Sequence, residues 1–424
     1  MKQRGSSPDE INVKTIFYTF TSNERCMTDV QKIFTDFLTA QKIFKNRRAL
    51  SESFTPDTIP HREKQIEELA KILAPALLNS KPSNVFIYGR TGTGKSLVSI
   101  YVTRELMKVA RENGSNVNVI YVNCKMKKLT DTEYRILAYI LKQLGEEVPF
   151  TGLPTEELYR RVIKKIDEKE QVVILILDEI DALVQKIGDE ILYNLTRINH
   201  ELEKAKVSFI GITNDLHFIR HLDPRIKSSL SEEELVFPPY NAEQLRDILE
   251  QRARIAFYDG VIEEAVIEKC AAIAAQEHGD ARRALDLLRV AAEIAERKGE
   301  SKVRVEHVDM AHEKIERDTF IETIKHQPLH SQLVFYSILE LSKIAREITT
   351  GSVFDFYVGV CKKLGIKPVT ERRVSDLIAE LAFFGFIETK VVSKGRYGRT
   401  RIISLKIPRE IEEKIHALLA ERFY

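Results

Sequence analysis

The run Gly89-Arg90-Thr91-Gly92-Thr93-Gly94-Lys95-Ser96 satisfies the spacing G-x-x-x-x-G-K-[ST]. Glycines at these intervals let successive backbone N–H groups turn inward around phosphate oxygens. In this pattern Gly92, Thr93, Gly94 and Leu97 frame the phosphates, Lys95 reaches the β- and γ-phosphates, and Ser96 offers its hydroxyl to Mg2+. Farther along, an apolar run ends in Asp178-Glu179-Ile180-Asp181. Asp178 can hold Mg2+ through water, and Glu179 can orient and deprotonate an attacking water. Asp181 reads as structural. A further apolar run ends in Thr213-Asn214-Asp215. Taken alone these residues begin a turn; beside a phosphate site, Asn214 can also hydrogen-bond the γ-phosphate or the water. The chemistry indicated is Mg2+-assisted hydrolysis of a nucleoside triphosphate.

Such groups need a rigid scaffold. Val85 to Tyr88 reads as a strand running into the loop, and Leu97 to Met107 as the helix leaving it, its N-terminus adding a favourable dipole for an anion. The runs Val117 to Val122, Val172 to Leu177 and Val207 to Ile212 are β-branched and nearly all apolar, with helical patterns between them. That alternation predicts an α/β domain built on a parallel sheet covered on both faces. Pro238-Pro239 interrupts it, and Asn241 with Gln244 has the spacing of a capping box. Helices are expected over Leu245 to Tyr258, Val261 to Gln276 and Ala281 to Lys298, in an all-α domain ending near Arg317.

Beyond Gln327 the pattern predicts helices over Leu329 to Arg346, Val353 to Leu364 and Thr370 to Phe384. Two β-type runs follow, Ile387 to Val392 and Thr400 to Ile407. This is the order of a helix-turn-helix with a wing. Between Thr389 and Arg409 stand Lys390, Lys394, Arg396, Arg399, Arg401, Lys406 and Arg409, with no acid among them. A basic hairpin of this kind can enter a groove or follow the backbone of DNA, because phosphate neutralisation dominates such affinity. Arg372 and Arg373 open the preceding helix. Tyr397 is the lone aromatic at the tip, which favours duplex contact over single-strand stacking.

Composition sets limits. With 43% hydrophobic residues in 424 there is material for two or three cores, and no apolar run approaches the length of a membrane span. The net charge of +2 is uninformative about nucleic acid. Cys26, Cys124, Cys270 and Cys361 stand apart, giving neither a disulfide frame nor a zinc site, and are expected to be buried thiols. No apolar signal core follows Met1, so the cytoplasm is the expected compartment. The domains read as an N-terminal extension (1–45), with Val30, Ile33, Phe34, Phe37 and Leu38 on one helical face, an α/β domain (46–238), a helical domain (239–318) and a winged helix (325–424).

From about Ile43 to the C-terminus the chain resembles the archaeal origin-recognition and Cdc-type replication initiators of the AAA+ class. Ile59-Pro60-His61-Arg62-Glu63 looks like the segment lying over the adenine, and Val148-Pro149-Phe150-Thr151-Gly152-Leu153-Pro154 like the initiator-specific insertion. Leu222-Asp223-Pro224-Arg225-Ile226-Lys227-Ser228-Ser229-Leu230 is similar to the segment carrying the arginine finger, with Arg225 as donor to a neighbour's γ-phosphate. Gly279-Asp280-Ala281-Arg282 is similar to the lid motif in which Arg282 senses the γ-phosphate; Tyr240 and Arg252 match positions bordering the nucleotide. From spacing alone Arg225 and Arg282 are also ordinary surface arginines. The N-terminal extension is longer than the family pattern. The resemblance implies ATP or ADP with Mg2+, slow hydrolysis, double-stranded origin DNA, a replicative helicase and further initiator molecules as partners, and no membrane. Two rivals share the P-loop: a signalling or transcription-regulating ATPase whose winged helix contacts protein, and a clamp-loader-type motor. The basic wing and the insertion at Val148 favour the initiator.

Overall fold

The structure is a computed structural model that describes residues 43–125, 132–149, 152–218, 222–230, 232–393 and 399–423. The helical face expected within residues 1–42 lies outside them. The chain divides after Val308 into two compact units.

In the first unit the order is α1 (Glu63–Leu73), β1 (Asn84–Gly89), α2 (Lys95–Glu112), β2 (Val117–Asn123), α3 (Glu133–Gln143), α4 (Thr155–Ile166), β3 (Val172–Asp178), α5 (Ile180–Ile187), α6 (Glu190–Arg197), β4 (Lys206–Thr213), α7 (Pro224–Leu230) and β5 (Glu232–Phe237). The strands form one sheet in the order β2-β3-β4-β1-β5, all pairs parallel. Strand side chains alternate between two cores, as the period of two requires. Val85, Ile87, Ile174, Ile176, Ile210 and Ile212 pack with Leu69 and Leu73 of α1 and Val98 and Val102 of α2. Phe86, Val173, Leu175, Leu177, Val207 and Phe209 pack on the other face with Ile136, Leu158, Leu183 and Leu192. The four apolar runs are the four expected strands. A fifth, β5, escaped the sequence criterion because it opens Glu232-Glu233-Glu234. It is an edge strand, where exposed charge is tolerated and helps to discourage pairing with another chain.

After β5 come α8 (Ala242–Ala256), α9 (Glu264–Gln276) and α10 (Ala281–Arg297). The capping box at the start of α8 is complete: Asn241 Oδ1 accepts from Gln244 N at 2.8 Å, and Gln244 Oε1 from Asn241 N at 3.1 Å. The chain before α1 packs on these helices, with Lys45 N donating to Ala256 O at 2.8 Å and the Phe44 and Phe257 ring centroids 5.1 Å apart. A further helix, α11, is absent from the sequence expectation; it runs from Val305 to His326, through Arg317, near which the all-α domain is expected to end.

The second unit holds α12 (Leu329–Ile344), β6 (Ile348–Thr349), α13 (Thr350–Lys363), α14 (Glu371–Phe383), β7 (Ile387–Ser393), β8 (Arg399–Leu405) and α15 (Arg409–Phe423). The antiparallel sheet has the order β6-β8-β7. One core, including Phe335, Val353, Tyr357, Val374, Leu377 and Ile403, joins helices to sheet. Both β6 and α15 go beyond the sequence expectation; α15 buries Ile411, Ile415, Leu419 and Phe423, a four-residue period. Cys124, Cys270 and Cys361 are buried, as expected. Among the described residues no helix is long and apolar enough to cross a membrane.

Candidate functional site

Strand β1 delivers the chain at Gly89 and α2 starts at Lys95. Between them Gly92 and Gly94 take φ of +72° and +91°, the left-handed region in which a Cβ is strained. Space is short as well: a Cβ would lie 1.7 Å from Asp280 Oδ1 at Gly92 and 2.9 Å from the Tyr240 hydroxyl at Gly94. These glycines therefore serve two ends, curling the loop and letting the chain that leads into α8 and α10 close on it. Lys95 is 7% exposed. Its Nζ donates to Gly89 O and Arg90 O at 2.7 Å each and to Asn214 Oδ1 at 2.8 Å. Burial lowers its pKa to about 8, with Asp178 opposing the shift and the Arg282 guanidinium adding to it.

Asp178 closes β3 and is buried. Tyr121, from β2, donates its hydroxyl to Asp178 Oδ2 at 2.5 Å, and Cys124 N donates to Asp178 O at 2.8 Å. Burial first, and Asp178 second, raise the pKa of Tyr121 and push that of Cys124 up to about 12, so both stay protonated. Glu179 stands at φ 55° and ψ 49°, a backbone conformation that costs a non-glycine residue energy and is seen mostly where function imposes it. Lys125 Nζ lies 3.5 Å from its Oε2.

A cavity of 450 Å³ joins these groups, within the range of small-molecule sites. Thr93, Ser96, Leu97, Asp178, Glu179, Asn214 and Arg282 line one part. Phe54, Pro56, Ile59, Ile248 and Leu285 give another part an apolar wall suited to a base. Lys95 and Arg282 supply cationic charge, while Ser96 and Asp178 supply the hard oxygens that Mg2+ prefers. The donor set fits a nucleotide with Mg2+.

Three expected cofactor contacts are placed differently. Ile59 and Pro60 stand on the wall, but His61 does not; its Nε2 is 2.9 Å from Asp247 Oδ2 on α8. Arg62 is buried and committed to backbone carbonyls, donating from Nε to Thr93 O at 2.9 Å and from Nη2 to Pro238 O at 2.6 Å. Arg252 borders the cavity, yet its guanidinium donates to Ala49 O at 3.2 Å and Phe54 O at 3.1 Å. Burial lowers its pKa to about 10. In each case a polar side chain that reads as a ligand in sequence is satisfied by a neighbouring segment, which a motif cannot reveal. Tyr240 does line the cavity. Arg225 is off its wall, highly exposed and paired with Asp223, Nη2 to Oδ2 at 3.0 Å. Two residues passed over in sequence matter here. Tyr121 orients Asp178 from a neighbouring strand, and Asp280 caps α10 through Arg282 N at 2.8 Å while resting on Gly92. Only the β2–β3 pairing brings Tyr121 there, and a lone sequence carries no trace of it.

In the second unit Thr370 caps α14 by accepting from Arg373 N. Arg372 is exposed on its first turn; Arg373 folds back along the helix, Nη1 to Glu380 Oε1 at 3.0 Å. Arg401 on β8 reaches Ser375 O at 3.4 Å, fastening sheet to helix. Lys390 is exposed on β7. Lys394, Arg396 and Tyr397 lie outside the described residues, in the turn between Ser393 and Arg399, which pair across the hairpin.

Family models match along the chain: the AAA domain over residues 78–219, the Cdc6 AAA+ ATPase-type lid domain over 246–313, and the CDC6 C-terminal winged helix domain over 322–414. The chain is 56% identical over 383 residues to the ORC1-type DNA replication protein of Thermococcus kodakarensis, covering 89% of this chain and 92% of the relative. To the ORC1-type DNA replication protein 1 of Archaeoglobus fulgidus it is 52% identical over 392 residues, 92% of this chain and 94% of the relative. Among solved structures, that of the Aeropyrum pernix ORC1 protein in complex with DNA matches with a TM-score of 0.77 and 48% identity, covering 90% of this chain and 99% of that one. Similarity of this degree over this much of the sequence leaves one assignment: the chain belongs to the archaeal ORC1-type DNA replication proteins, a family of nucleotide-binding AAA ATPases.

Proposed function

We propose that this chain grips duplex origin DNA with its winged helix, uses ATP against ADP as a switch, and in one of the two states helps to recruit the replicative helicase. In this reading residues 46–238 hold the phosphates, 239–318 form the lid and 325–424 bind DNA. Lys95 neutralises the β- and γ-phosphates; Ser96 and Asp178 hold Mg2+, which supplies charge neutralisation at the phosphates when bound. Glu179 positions the attacking water and takes its proton, with Asn214 as a second polar guide. Arg282 reaches the γ-phosphate from the lid of the same molecule, and Arg225 reaches that of a neighbouring initiator. Hydrolysis in an isolated monomer is slow, since a finger supplied in trans is absent and a switch works through long-lived states.

The observation that carries the reading is 48% identity, over 90% of the chain, to a protein whose structure was solved in complex with DNA. Footprinting of the purified chain with ATP or with ADP tests it. Protection confined to one repeated duplex sequence, differing between the two nucleotides, is expected. Absence of protection in both would favour a winged helix that contacts protein.

A further inference from the structure

Arg62 is 2% exposed, one of the largest side chains to be so fully buried, and lies outside the cavity wall. Its fork reaches three stretches of chain. Nε donates to Thr93 O in the phosphate loop at 2.9 Å, Nη2 to Pro238 O just beyond β5 at 2.6 Å, and Nη1 to His61 O at 3.1 Å. The guanidinium carbon also sits 3.7 Å from the centroid of the Tyr240 ring. Tyr240 is itself buried and clamped. Its N–H donates to Gly279 O at 3.2 Å, its carbonyl would lie 2.4 Å from a Cβ on Gly279, and its hydroxyl abuts Gly94. Two residues beyond Gly279, Ala281 N donates to Gly92 O at 3.2 Å.

We infer that Arg62 is a positioning residue that links the phosphate loop to the hinge of the lid, carrying nucleotide state from Thr93 and Gly94 through Tyr240 to α8 and α10. The inference rests on the nucleotide-switch reading above. The physical case is connectivity: a phosphate group entering the loop must reorganise the same backbone whose Thr93 carbonyl Arg62 holds. A planar guanidinium donating to Thr93 and Pro238 at once transmits that shift to the Pro238–Tyr240 segment, the covalent entrance to the lid. Lysine, a point charge without a rigid fork, cannot bridge both carbonyls in a fixed geometry. Burial lowers the pKa of Arg62 from its usual value, with Tyr240 and Glu63 opposing the shift.

Amide hydrogen exchange on the full chain, with and without saturating ADP, tests the link in wild type, Arg62→Met and Arg62→Lys, with ADP affinity measured by calorimetry. Wild type is expected to gain protection in the phosphate loop and in α8 and α10. Arg62→Met is expected to keep loop protection, lose more than about half of the lid protection, and weaken ADP by less than about tenfold. Arg62→Lys should fall between, and carries the same comparison if the Met variant does not fold. Lid protection at the wild-type level in both variants would overturn the inference. A loss of affinity of about a hundredfold or more would do so too, by making Arg62 a nucleotide contact. A wild-type lid that does not respond to ADP would instead sink the switch reading itself, whatever Arg62 does.

Discussion

Lys95 illustrates what a motif states and what it omits. The P-loop spacing marks the residue in sequence, but its burial, its three acceptors and a pKa lowered to about 8 are properties of the folded site. The sign of the consequence is fixed. In the free protein Lys95 loses its proton as pH rises through about 8; bound phosphates favour the charged form and raise the pKa toward its ordinary value. ADP binding between that pH and about 10 must then take up a proton. Calorimetry in buffers of different ionisation enthalpy should find up to one proton taken up near pH 9, declining toward pH 7; no linked proton at any pH would contradict the assigned environment. Glu179→Gln keeps the shape of the side chain and removes the base. The variant should bind ATP and fail in single-turnover hydrolysis, and unchanged turnover would remove Glu179 from the role. His61, Arg62 and Arg252 were legible only as residues at family positions, because their partners lie on other elements.

Elements were easier to read than their meetings. β1, β3 and β4 are buried along nearly their whole length, and β2, half-buried at the other edge of the sheet, is still rich in β-branched residues, so their apolar runs stand out; β5 hides behind three glutamates, which an edge strand tolerates. A helix start with a side-chain cap was legible at Asn241, since Asn caps by a local rule. The period of Ile411, Ile415, Leu419 and Phe423 was there to be read, and the expectation stopped short of it. At α10 the cap also meets the phosphate loop, with Asp280 Oδ1 accepting from Arg282 N at 2.8 Å and Arg283 N at 3.3 Å. Asp280→Ala should lower the unfolding free energy by about 1 kcal/mol, and Asp280→Asn, which still caps, should recover most of it. Chemical denaturation measures both. Equal stability of Ala and Asn variants would show that the cap contributes little.

At the scale of the whole molecule the first question is whether turnover needs a second copy. Arg282 lines the cavity of its own chain, whereas Arg225 is exposed, off the cavity wall and paired with Asp223. Arg282→Ala should slow ATP hydrolysis in a dilute monomer and Arg225→Ala should leave it unchanged; loss of monomer turnover in Arg225→Ala would contradict a role in trans. The second question is what the chain holds. Duplex DNA binding is the claim on which the initiator reading stands, and the turn between β7 and β8 is where the sequence concentrates basic charge. Replacing Arg396 and Arg399 by Ala removes two positive charges from this segment while keeping Gly395 and Gly398. Binding isotherms on cognate and scrambled duplexes at several salt concentrations are the most direct measurement. If both arginines meet phosphates, the slope of log affinity against log salt becomes shallower by about two on every duplex. If either reads a base edge, the loss concentrates on the cognate duplex, at roughly 1 to 3 kcal/mol. Unchanged affinity and unchanged salt slope on both duplexes would contradict the account.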